Sequence, residues 1–303
     1  MQYKSRLYGQ PNDLTQMRRF LVEAQRECGL GPYMHVGDLV WRMYQNTVFD
    51  PTQNILLFHD EQEAPVGFAW YYPPNTVEFQ VHPRLRGTGL LETPMLEWAR
   101  GRWRECHADG QARAPLITNA VDDASGLQEF LCANGFQARG KYLLLLESKL
   151  DAALAHTQVE EGITVHGVSH ADQFTARVDL HREVWYPSKV TLEAYQRLRT
   201  IPGYNPELDL VAETREGIFA SYCICWYDEV NRTGEFEPVG TRPAYRRRGL
   251  GQAVLREGFR RLQALGARAA IVSCYEHNRA FYESVGFREI HRDYEWEASA
   301  ISE

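Results

Sequence analysis

One pattern is written twice in this 303-residue chain. Residues 81–100, VHPRLRGTGLLETPMLEWAR, run parallel to residues 241–261, TRPAYRRRGLGQAVLREGFRR, when Pro83 is set against Pro243. A second echo follows each, FLCANGF at 130–136 and FYESVGF at 281–287. Each half also opens alike, with an extended segment and then a charged helical stretch: SRLYG before DLTQMRRFLVEAQREC, and ITVHGV before HADQFTARVDLHREVW. Strand-like runs follow in both, then a glycine turn with its helix, a further strand, a short helix and a closing strand after Gly-Phe. A period this long is a duplicated domain and not a solenoid. The chain is therefore expected to be of the α+β class, an α/β mixed sheet with helices on both faces in each of two domains, 1–148 and 160–299. The polar stretch 147–162, ESKLDAALAHTQVEEG, belongs to neither repeat and is the expected boundary.

The chemistry concentrates where the second copy turns from strand to helix. An extended run through Phe236, Val239 and Thr241 gives way at Gly249 and Gly251 to the helical spacing of Leu250, Val254, Leu255, Phe259 and Leu262. A turn without side chains brings backbone N–H groups up to an anion, and the helix start adds unpaired donors and a partial positive charge. A diphosphate suits such a place. The arginines at 246–248 resemble a nucleic-acid patch, but 33 Lys+Arg against 40 Asp+Glu leave a net charge of -7. A polyanion binder is usually basic, so one compact anion is the expected partner and nucleic acid is not.

Other classes find little support. The six cysteines are scattered without metal spacing, and Cys223 and Cys225 share one face of an apparent strand, so buried reduced thiols are expected and no metal site is. His166, His170, His181 and His277 form no ligand-spaced set. No apolar run has the length of a membrane span, and MQYKSRLYGQ lacks the apolar core of a secretory signal, which makes the cytoplasm the expected location and membrane partners unexpected.

The C-terminal half resembles the GCN5-related N-acetyltransferases, the GNAT superfamily. Arg246-Arg247-Arg248-Gly249-Leu250-Gly251 matches the Q/R-x-x-G-x-G/A acetyl-CoA signature, after Thr241-Arg242-Pro243 in place of the usual Val-x-Pro, and EHNRAFYESVGF matches the closing motif through Asn278, Tyr282 and Gly286-Phe287. The resemblance covers residues 160–299, with a fainter version over 1–148. It is similar to the tandem-GNAT arrangement, of which mycothiol synthase is one known type. It implies, in each domain, a mostly antiparallel mixed sheet in which one pair of parallel strands splays apart to hold the pantetheine arm of acetyl-CoA. Val239, Gly240 and Thr241 would then line that arm. Arg246, Arg247, Arg248, Gly249, Leu250, Gly251 and Gln252 would seat the diphosphate, and Asn278 would contact the arm or merely cap its helix.

The implied activity is acetyl transfer to a small primary amine by direct attack, with a non-catalytic acyl-CoA-binding protein as the alternative. Tyr282 is the expected acid for the leaving thiolate. Glu237 is the expected base, with Glu235 on the same face of the strand. The backbone N–H of Val239 is expected to polarise the carbonyl. The substrate wall is expected from REVWYPSKVTLEAYQRL, IPGYNPELD, Trp226, Tyr227 and Asp228. On the proline alignment Leu91 stands where the second copy has Gly251, a side chain where a phosphate should approach, and Leu127 and Leu131 oppose Asn278 and Tyr282. The first domain is therefore expected to be degenerate, structural or substrate-shaping, and the second catalytic. Shifting the register to Arg84-Leu85-Arg86-Gly87-Thr88-Gly89 restores the glycine pattern and breaks the proline match. Monomer and homodimer are both compatible with an internal duplication.

Overall fold

The computed structural model describes residues 3–107, 114–122, 124–150 and 161–298. In chain order the elements are β1 (Lys4–Leu7), α1 (Asp13–Cys28), α2 (Val36–Tyr44), α3 (Pro51–Asn54), β2 (Ile55–His59), β3 (Pro65–Tyr72), β4 (Thr76–Val81), α4 (Glu92–Cys106), β5 (Ile117–Val121), α5 (Ser125–Ala133) and β6 (Phe136–Lys149). They continue as β7 (Ile163–Gly167), α6 (Phe174–Val184), α7 (Leu192–Leu198), β8 (Asp209–Thr214), β9 (Phe219–Asp228), β10 (Thr233–Thr241), α8 (Leu250–Ala264), β11 (Ala269–Cys274), α9 (Arg279–Glu283) and β12 (Arg288–Ala298).

The chain divides into two compact units, the first made of Met1–Met34, Phe49–Leu145 and Ile290–Glu303, the second of His35–Val48 and Leu146–Glu289. The bounds expected from sequence, 1–148 and 160–299, follow chain order. The units do not, because α2 counts with the second and most of β12 with the first. Of the expected boundary stretch 147–162, residues 151–160 lie outside the described residues. The placement of α2 has a packing cause. Its Leu39, Val40, Trp41 and Met43 are buried, and the helix lies against β9, β10 and α7. A nine-residue helix has little stability of its own and forms only where such a face is covered.

In the first unit the strand order is β1-β2-β3-β4-β5-β12-β6, and in the second the end of β6 lies beside β11, followed by β10-β9-β8-β7. The sheets are mixed and mostly antiparallel, with β4–β5 and β10–β11 as parallel pairs. Helix α8 packs closely on its sheet. A Cβ at Gly258 would lie 2.5 Å from the Phe236 ring and 2.7 Å from Cys225 Sγ, so only glycine permits the approach. Phe236, Phe259 and Phe287 meet with ring centroids 5.1–6.0 Å apart. Burial of each such ring stabilises the fold by about 2 kcal/mol. The second echo ends alike in both units, with Phe136 and Phe287 both buried behind left-handed glycines, Gly135 (φ 82°) and Gly286 (φ 112°). Among the described residues no helix is long and apolar enough to cross a membrane.

Candidate functional site

The two parallel pairs are paired only at their beginnings. Strand β10 is in register with β11 from Thr233↔Ala269 to Glu235↔Ile271, after which β10 runs on to Thr241 and β11 to Cys274. One extra residue in β10 between Phe236 and Val239 forms a bulge against β9 at the point of divergence. Trp226 Nε1 donates to the carbonyl oxygen of Glu237 at 2.7 Å and pins it. Beyond the bulge the N–H of Arg242 donates to Ala220 O at 2.9 Å, so strand alternation turns Gly240 toward β9 and the N–H and C=O groups of Val239 and Thr241 away from it. Those groups line the space that β11 leaves. Gly240 must be glycine, since a Cβ there would lie 2.6 Å from Val184 and 2.8 Å from Tyr222.

The glycine turn follows at once. The backbone enters the left-handed region at Arg247 (φ 62°) and again at Gly249 (φ 77°), the N-cap of α8. Arg246, Arg247, Arg248 and Gly249 are exposed, and the first-turn N–H groups of α8 lack intrahelical partners. Successive amides that change hand in this way form a concave anion seat. Leu250 turns its side chain into the core and offers only its backbone.

The corresponding turn of the first unit has the same backbone: Gly87 (φ 75°) and Gly89 (φ 79°) stand where Arg247 and Gly249 do. The proline alignment is thus the structural one, and the alternative register fails. Here the seat is filled from within. The fully buried Glu92 accepts from Gly87 N–H at 2.6 Å and from Gly89 N–H at 3.2 Å. Its counterpart Gln252 turns aside, donating to Ser284 Oγ at 2.8 Å. The strand edge is closed as well. His82 N–H donates to Val66 O, which turns Val81 outward, and the Tyr33 hydroxyl donates to Val81 O at 2.6 Å.

The reason given above for Leu91 is corrected by these positions. Leu91 is fully buried in the core and does not intrude on the turn. Gly251 in turn is small because a Cβ there would meet Phe281 at 3.0 Å and Thr241 Oγ1 at 3.3 Å. What separates the two turns is the carboxylate at 92. Leu127 and Leu131 are core residues of the first unit.

At the far end of the β10–β11 gap, Glu237 is half-buried, and burial pushes its carboxyl well above the usual carboxylate range. The charges of Asp38 and Glu235 push it further, and Arg42 opposes them. Tyr282, 7% exposed, is also pushed up, first by burial and then by the Glu237 charge. Asn278 is exposed at the start of α9, and its side chain makes no capping hydrogen bond.

Much of the expected substrate wall has structural duties. Trp226 is buried, and Asp228 accepts from the N–H groups of Val230 and Asn231 in a turn. Tyr195 and Tyr204 donate to Asp209, which also pairs with buried Arg177 at 2.8 Å. Sequence reasoning missed α2, which brings His35, Asp38 and Arg42 to β10. His35 Nδ1 is 3.1 Å from Glu235 Oε2, and Arg42 is 3.3 Å from Asp38. Nothing in that segment's pattern says which unit it joins. It also missed Glu92, although the aligned Glu–Gln pair at 92 and 252 was visible.

Comparison with known proteins agrees with this geometry. Residues 175–287 match the acetyltransferase (GNAT) family. No curated protein matches the chain. Among solved structures, a GCN5-related N-acetyltransferase from Sphaerobacter thermophilus is similar with a TM-score of 0.67 at 20% identity, covering 97% of this chain and 95% of that one. A tandem GNAT protein from the clavulanic acid biosynthesis pathway gives 0.64 at 15% identity over 100% of both chains. Saccharomyces cerevisiae N-myristoyltransferase with bound myristoyl-CoA gives 0.57 at 12% identity, covering 98% of this chain and 79% of that one. The segment that carries the splayed strands and the glycine turn is thus the one that matches the acetyltransferase (GNAT) family, in a chain whose fold is similar to that of a tandem GNAT protein.

Proposed function

We propose that the second unit is an acetyl-CoA-dependent N-acetyltransferase acting on a small primary amine. One observation carries the proposal: of two turns with the same backbone, the first folds its own buried Glu92 onto the amides of Gly87 and Gly89, whereas Gln252, at the same place in the second, turns aside to Ser284. The seat at residues 246–252 fits a diphosphate, with arginine side chains at 246–248 screening phosphate charge. The outward C=O of Val239 and N–H of Thr241 would hold the pantetheine arm by extending the sheet, with Asn278 on its other side. Acetyl-CoA, when bound, supplies an acetyl thioester. Glu237, whose raised pKa makes it a better proton acceptor, takes a proton from the ammonium, directly or through water. The Val239 N–H polarises the carbonyl oxygen. Tyr282, protonated throughout the neutral range, provides the proton for the departing thiolate. The first unit on this reading is structural.

Release of free thiol from acetyl-CoA in the presence of an amine panel tests the proposal. Turnover is expected, with kcat/KM falling on the acid side as Glu237 is protonated and E237Q abolishing that limb. Acetyl-CoA binding without thiol release for any amine would overturn the catalytic reading and leave a binding protein.

A further inference from the structure

In the first unit the gap between the parallel strands is crossed by the unit's own chain. Strands β4 and β5 are in register only at Thr76↔Ile117, after which β4 runs on to Val81 and β5 to Val121. The connection that leaves α1, residues 29–34, bridges the two strand ends. On the β4 side the Tyr33 hydroxyl donates to Val81 O at 2.6 Å, and Met34 N–H donates to Gln80 Oε1 at 3.4 Å. On the β5 side Gly31 lies so close to the His291 ring that a Cβ would collide with it, and His291 Nδ1 is 3.3 Å from Asp122, the residue after β5. Gly31 also takes a φ of 131°, so the crossing requires glycine. Between these ends Arg86 donates to Pro32 O and lies over the Tyr33 ring, 5.0 Å from its centroid. Tyr33 is 4% exposed and packs edge-on against Phe20 at 6.2 Å. The second unit uses the same positions differently. On the proline alignment Val81 and Arg86 stand where Thr241 and Arg246 do, and there Arg246 Nε itself donates to Thr241 O at 3.2 Å. The connection that leaves α6 is anchored elsewhere: Trp185 Nε1 donates to Tyr222 of β9 at 2.8 Å, and Val190 bridges to Asn46.

We propose that residues 29–34 are a strap standing where the arm of a coenzyme would lie, and that the first unit keeps beneath it a second site for coenzyme A, closed from within. The inference rests on the coenzyme reading of the second unit. Two internal groups close the site in separate places: Glu92 takes the amides of the turn, and the strap takes the strand edge that an extended amide arm would pair with. Emptying the turn alone admits a bare diphosphate, which needs only the amides. The whole coenzyme needs the strap displaced as well.

Calorimetric titration of the full chain with coenzyme A and with inorganic diphosphate separates the two closures. Wild type should bind one coenzyme. E92A should still bind one while taking up additional diphosphate, and E92A/Y33A/R86A should bind two. Adding Q252E to that variant should weaken one of the two by at least about tenfold, ~1.4 kcal/mol, and leave the other, which assigns the new site to the first unit. A second coenzyme in E92A alone, or a folded triple variant that binds only one, overturns the inference. Y33F removes one hydroxyl and keeps the ring, so it tests the strap without emptying the core: amide hydrogen exchange over residues 29–34 should rise about fivefold while α1 keeps its protection, and unchanged exchange there overturns the strap. Wild type that binds no coenzyme refutes the reading of the second unit instead, and leaves the strap to the exchange measurement.

Discussion

Replacing Glu92 by alanine empties the anion seat of the first unit. The carboxylate is fully buried and accepts N–H bonds of 2.6 and 3.2 Å. Each bond to a charged group contributes roughly 1.5–3 kcal/mol, but Gly87 and Gly89 are only half-buried and water can rewet their amides, so the net loss should be about 2–3 kcal/mol. At about 2–4 °C per kcal/mol for a domain of this size, the first unit should melt roughly 4–12 °C earlier by scanning calorimetry. A vacated seat of this geometry should also accept an inorganic anion. Diphosphate at 100 times its dissociation constant would restore about 2.7 kcal/mol. The gain in E92A should therefore exceed that in wild type, where Glu92 still holds the first unit's amides. Melting unaffected by the substitution, or an equal diphosphate gain in both proteins, would refute the idea that an internal carboxylate occupies the first seat.

Removing the hydroxyl in Y282F should lower kcat on the order of 10²-fold and leave the acetyl-CoA Kd unchanged, measured by steady-state kinetics and calorimetry side by side; a fall in affinity with kcat preserved would make Tyr282 a packing residue. His181 gives a stability prediction. Tyr222 Oη accepts from Trp185 Nε1 at 2.8 Å and has its own proton for His181 Nδ1 at 2.6 Å. Burial, with the charge of Arg177 added, pushes the imidazole down to about 3 from 6.5. The unfolded chain then binds the extra proton, so the contribution is fully present above pH 6.5 and is lost as pH falls toward 3, about 2 kcal/mol by pH 5. Urea denaturation across that range should show a steeper loss in wild type than in H181Q; parallel slopes would place a charged imidazole in the fold.

The duplication, the element order and the glycine turn were legible because each is a local pattern: a strand-turn-helix signature needs no partner from elsewhere. Glu237 and Tyr282 do lie on β10 and α9, the strand and helix that the local pattern places around the turn. The membership of α2 in the second unit could not be read, since its apolar face of Leu39, Val40 and Met43 would cover either sheet equally well. A difference between the two turns was visible, but it was assigned to Leu91. Whether a side chain at a helix start points inward or into the turn is settled by packing, and Leu91 points inward. A neighbouring carboxylate bending back onto its own turn gives no periodic signal.

The measurement closest to the central claim is calorimetric titration of the chain with coenzyme A, in wild type and in Q252E. Gln252 occupies the position of Glu92, so a carboxylate there should fold back onto the amides of Arg247 and Gly249 as Glu92 does onto those of Gly87 and Gly89. Wild type should bind one coenzyme per chain, and Q252E should lose at least about tenfold in affinity, ~1.4 kcal/mol. Two equivalent sites in wild type, or full affinity in Q252E, would contradict the account.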